Sequence, residues 1–107
     1  MKMISIAEDF TTTPAGRYRQ DGDFSGEAFR DDILVPALKA SDIVKVVLDG
    51  TRGYGSSFLE ETFGGLVRKG HFTKDELTSK LEIIAETSAF QHYKKLVEKY
   101  INDARPQ

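Results

Sequence analysis

Ile43-Val44-Lys45-Val46-Val47-Leu48-Asp49 runs directly into Gly50-Thr51-Arg52-Gly53-Tyr54-Gly55 and then into Ser56-Ser57-Phe58-Leu59. The first block is rich in β-branched residues and broken only by Lys45, the composition of a strand covered on both faces in a sheet with helices on either side. The glycines make a tight turn. Beyond them the period changes: Phe58, Leu59, Phe63, Leu66 and Val67 recur at three- and four-residue steps, the apolar face of a helix laid on the sheet. The spacing predicts a central strand over 43–49 and a helix over 57–69. Ser57 and Glu60 have capping-box form, and Gly70 is placed to end the helix. Ser56 then stands just outside the cap. There, backbone N–H groups and the helix dipole favour an added anion such as phosphate.

A chain of 107 residues is expected to form a single domain over 1–107, with one core. A net charge of −2 gives no general attraction to nucleic acid or to an anionic membrane, so partners must be recognised locally. The absence of cysteine rules out disulfides, thiolate metal sites and cysteine nucleophiles. No window reaches the roughly 20 apolar residues of a membrane span. The start Met1-Lys2-Met3-Ile4-Ser5-Ile6 is too short an apolar run for a secretion signal, so a cytoplasmic location is expected.

In chain order, Lys2–Ala7 reads as an edge strand with Met3 and Ile6 inward, closed by the turn signals Pro14 and Gly16. Arg17-Tyr18-Arg19 reads as a short second strand pairing back on it. Ser25 precedes a helix whose stripe is Ala28, Phe29, Ile33, Leu34, Ala37 and Leu38, with acidic Glu27, Asp31 and Asp32 near its start. Pro36 should kink it near Val35. After Gly70, Thr73 and Glu76 form a second capping box before a short helix. Leu81–Glu86 is read as a strand, although a helix continuing through Lys80 fits the same short apolar run. Ser88 with Gln91 gives a third capping box and opens a final helix with the stripe Phe90, Tyr93, Val97, Tyr100 and Ile101. The order is α/β, with parallel pairing across the helical connections.

Several chemistries are excluded on spacing. A Walker loop needs a Gly-Lys-Ser/Thr ending, and no lysine lies between Lys45 and Lys69; Gly50, Gly53 and Gly55 do not fit the dinucleotide fingerprint. Gly55-Ser56-Ser57-Phe58 is not a nucleophile elbow. His71 and His92 stand in no metal-ligand spacing and read as structural or surface residues. Asp49 reads as a loop-capping aspartate more readily than as a phosphoacceptor or Mg²⁺ ligand. Neither a metal nor a cofactor is expected.

Two blocks carry a resemblance. The run Ile43–Asp49 followed by Gly55-Ser56-Ser57-Phe58-Leu59 is similar to the STAS domain of anti-sigma factor antagonists and sulfate-transporter tails, in which an apolar strand and a loop lead to Asp-Ser-Ser-Gly-Leu at a helix start. Phe24-Ser25-Gly26-Glu27-x-Phe29-Arg30 and Ser56-Ser57-Phe58-Leu59-x-Glu61-x-Phe63-Gly64 resemble the STAS-like bacterial domains most closely. The resemblance implies a small mixed sheet of about four strands with amphipathic helices. It also implies a regulatory binding module, not an enzyme, whose partner is a histidine-kinase-like ATPase or an anti-sigma factor. Ser56 matches the phosphorylated serine, with Ser57 beside it; Gly55 replaces the motif's aspartate and Phe58 its glycine. The expected partner surface comprises Arg52, Tyr54, Gly55, Ser56, Ser57, Glu60 and Glu61, with Arg68 on the same flank. Two rivals stand beside this reading. One is a module that binds a nucleotide or phosphate through Gly50–Gly55 and the helix start; the other is an assembly domain that pairs through its last helix.

Overall fold

β1 (Lys2–Ser5) is an edge strand of the computed structural model, which describes residues 1–107. It ends where Ser5 caps a single helical turn, α1 (Ile6–Asp9), accepting from the Glu8 N–H at 3.2 Å while Asp9 accepts from the Ser5 N–H at 2.8 Å. This reverses the expected facing of the first strand: Ile4 is buried and Met3 is 53% exposed. Ile6 is buried as well, but as a helix residue.

No strand forms at Arg17-Tyr18-Arg19. The Asp21 carboxylate accepts from the Arg17 and Tyr18 N–H groups at 3.2 and 2.9 Å, which binds the segment to a 3₁₀ turn (Arg19–Asp21) instead of a ladder. The sheet therefore has three strands, where about four were expected. β2 (Val44–Val47) lies in the middle and β3 (Leu81–Ile84) on the far edge, all parallel, in the registers Ile4–Val46 and Val46–Ile83.

The first crossover helix, α2 (residues 26–40), is capped by Ser25, whose Oγ accepts from the Ala28 N–H. Pro36 has no N–H to give to the turn below it. The helix continues past it to Ala40, but the turn just before, Arg30–Leu34, is widened to i→i−5 bonding, with Val35 N–H donating to the Arg30 carbonyl. The second, α3 (residues 56–68), has a widened turn of its own at Glu60–Gly64. Its C-terminus is a Schellman motif: Gly70, with φ +76°, donates to the Val67 carbonyl and His71 to Leu66. The Thr73–Glu76 capping box opens α4 (Lys74–Lys80), and β3 follows at once. α5 (Ser88–Asp103) lies along α3.

Strand order β1-β2-β3 means that both crossovers step the same way. Right-handed crossovers that do so place their helices on one face of the sheet. Ile4, Val46 and Ile83, each 6% exposed or less, point into that face and join Phe29, Phe58, Phe63 and Leu66 in the core. The neighbouring residues Met3, Lys45 and Glu82 point to the other face, which is open, so the expected two-sided cover is not found. Val47 on that face is half-buried, and Leu48, just past the strand, is fully buried.

α2 and α3 approach closely at Gly26, where an added Cβ would lie 2.6 Å from the Phe58 carbonyl oxygen. Gly26→Ala gains helix propensity but forces the two helices apart. Thermal denaturation should show a net loss of about 1–2 kcal/mol.

Candidate functional site

The carboxyl ends of the three strands lead into the segments that carry the predicted site, the usual place for function in a parallel sheet. Asp49, two residues past β2, is a loop anchor. Its carboxylate accepts from the Glu86 N–H at 2.8 Å, the Thr87 N–H at 3.0 Å and the Thr87 hydroxyl at 2.8 Å. Burial, the largest single influence, pushes its pKa up, but these bonds outweigh it and hold the carboxyl below the usual aspartate value. Because Thr87 spends its hydroxyl on Asp49, it stands at the N-cap of α5 without a side-chain bond to the helix. The expected Ser88–Gln91 box does not form.

Tyr54 holds the loop from the other side. Its hydroxyl donates to the Leu48 carbonyl at 2.6 Å, and its ring stacks on Phe58 and meets Tyr93 edge-on. At 8% exposure it belongs to the core and offers no surface to a partner. Burial pushes the phenol far above its ordinary pKa. Gly53, with φ +114°, passes so close to Tyr93 that a Cβ would sit 2.9 Å from its hydroxyl. The Arg52 N–H is tied to the Thr12 carbonyl at 2.8 Å, while the Arg52 side chain is exposed.

The helix start differs from the expected one. Gly55 is the N-cap residue of α3 and gives no side-chain bond; Ser56 and Ser57 are the first two helical residues, both exposed. Ser57 therefore lies two positions past the cap, too far in to serve as one, and Glu60 is engaged elsewhere. Residues 51–57 line none of the three concavities on the surface.

Glu60, Glu61 and Arg68 do not form an exposed flank. Glu61 is 1% exposed and faces Arg30, itself 2% exposed, with Arg30 Nη1 donating to Glu61 Oε2 at 2.6 Å and to the Glu61 carbonyl at 2.8 Å. Asp31 takes the Arg30 Nε hydrogen at 2.8 Å. The other Glu61 oxygen accepts from Arg17 and Arg68, each at 3.1 Å, and both arginines also hold Glu60. Three guanidinium groups and three carboxylates thus lock α2, α3 and the loop before α2 together, and no buried side-chain polar atom lacks a partner. Gly65 makes room for this, since a Cβ there would collide with Arg30 Nη1. Arg30 lies three residues before Ile33 and four before Leu34, and Glu61 three after Phe58, so both fall within the apolar stripes of their helices. A charge on an inward stripe was the sign that they pair.

The architecture and this site define a two-layer α/β domain of STAS-like type. The STAS-like domain of unknown function DUF4325 matches residues 25–89, from the cap of α2 to the first turn of α5, and the chain belongs to that family. No curated protein and no solved structure matches the chain.

Breaking a buried ion pair from one side leaves an uncompensated charge. Glu61→Gln should cost about 3 kcal/mol or more in urea unfolding. Acid should act on the same cluster. Burial, the largest influence on Glu60, raises its pKa, but Arg68 and Arg17 lower it further, so it lies below the ordinary value of 4.5. The stability it contributes is whole above pH 4.5 and drains away as pH falls through its folded-state pKa. Asp49 acts likewise below its ordinary 3.8. The urea midpoint should therefore fall steeply with acidification in that range, and less so in Glu60→Gln.

Proposed function

We propose that this domain is a regulatory protein-binding module of the anti-sigma antagonist kind, without catalytic activity of its own. Its partner is a histidine-kinase-like ATPase or an anti-sigma factor, and Ser56 is the residue on which that partner acts. The observation that supports the reading is the position of Ser56: exposed, at the first helical residue of α3, behind an N-cap glycine that brings no side chain to the helix end. A phosphate there adds about −2 charge and three acceptors next to N–H groups that have no side-chain cap. The fold tolerates it, while a partner surface fitted to the neutral hydroxyl is repelled. Ser57 is the second choice of acceptor. The contact surface on this reading is Arg52, Gly55, Ser56 and Ser57, with Tyr54, Glu60 and Glu61 serving as its rigid support.

Ser56→Asp should weaken binding of a candidate kinase-like ATPase by about tenfold or more in calorimetry, a change of about 1.4 kcal/mol. The same substitution should leave the melting temperature unchanged or slightly raised, since an acid in the first helical turn is favourable by about 0.3–1 kcal/mol. Ser57→Ala should change stability by less than about 0.5 kcal/mol, because no cap is lost. Unaltered affinity in Ser56→Asp would remove the switch. Saturable ATP-induced shifts confined to the amides of Gly53–Phe58, with no partner present, would instead favour a nucleotide-binding loop.

A further inference from the structure

The uncovered face of the sheet is an anomaly of the fold. Parallel sheets occur almost only with helices on both faces, and here the strand order puts both crossover helices, α2 and α3, on one. At the β1–β2 end of the open face lies a shallow concavity of about 670 Å³. Met3, Ala7 and Val47 give it an apolar floor, and Glu8, Asp9 and Asp49 give it an acidic wall; no lysine, arginine or histidine lines it. Lys45, the register partner of Met3 on this face, is held by Glu82 across β2 and β3 at 3.5 Å. Asp49 keeps its charge to low pH. Met3, 53% exposed, supplies the adaptable thioether surface on which partner side chains repack easily.

We infer that this face is a docking surface for a basic amphipathic helix of a partner protein. The occupant's apolar stripe lies on Met3 and Val47, and its Lys or Arg residues face Glu8, Asp9 and Asp49. A helix is the element that covers a parallel sheet, and the one-sided charge selects a basic one. A second copy of the chain fits less well, because it would bring the same three acids against the acidic wall. The concavity adjoins the Ser56 loop through Asp49 and Gly50, but residues 51–57 do not line it, and the inference does not depend on the function proposed for that loop.

The probe is a synthetic amphipathic leucine–lysine peptide, compared with its leucine–glutamate counterpart. The lysine peptide should shift the amides of Met3, Ser5, Val47 and Gly50 saturably, lose affinity as salt is raised, and bind about tenfold more weakly to the double variant Met3→Lys, Glu8→Lys. Both positions are exposed, so the variant should keep the wild-type melting temperature, and Ser56→Asp should leave peptide affinity unchanged. Shifts centred on another surface, equal binding of the glutamate peptide, or affinity unaffected by the double variant would overturn the inference. Concentration-dependent dimers in sedimentation that Met3→Lys abolishes would do so as well, by assigning the face to a second copy.

Discussion

A guanidinium buried between two helices has to be neutralised where it lies, and the Arg30–Glu61 pair is the constraint around which this fold closes. Each side chain is almost wholly out of water, and each would be costly there alone. Their pairing fixes how α2 crosses α3. Gly65 leaves room for the guanidinium, Gly26 lets the backbones approach, and widened turns fall on both helices where the two residues sit. Arg17 and Arg68 extend the neutralisation outward to Glu60, so that the loop before α2 is tied to the same point.

The second constraint is topological. Three parallel strands visited in spatial order leave one face of the sheet bare, whatever the composition of the strands. This explains why β2 is apolar at Val44 and Val46 but carries Lys45, and why an exposed methionine occurs on β1. Open face and helix-covered face belong to one sheet, and their difference comes from connectivity.

The loop at the carboxyl end of β2 is fastened separately. Asp49 fastens the strand end to the turn before α5, and Tyr54 fastens the loop to Leu48 and to the aromatic cluster of Phe58, Phe90 and Tyr93. What stands free on this base is small: the Arg52 side chain, Gly55, Ser56 and Ser57. That surface, rigid beneath and polar above, is the one on which the proposed protein contact rests.

The sequence by itself determined the order of elements, the central strand, the helix on either side of it, the Ser25, Thr73 and Gly70 helix ends, and membership in the STAS-like family. The elements and their ends follow from local periodicity and from caps that act within a few residues, and the family from the resemblance of the two motif blocks. It also pointed to Asp49 as a loop anchor. Only the tertiary structure decided the rest, because the competing partners are distant in the chain. Asp21 took the N–H groups that would have made a strand of Arg17–Arg19. Asp49 drew the Thr87 hydroxyl from 38 residues away and left the expected Ser88 box unformed. Glu60 went to Arg17 and Arg68 instead of closing a cap with Ser57, and Glu61 turned inward to Arg30. Charged side chains reach far and can be satisfied in several ways, so their partners are chosen when the helices pack and not by spacing along the chain.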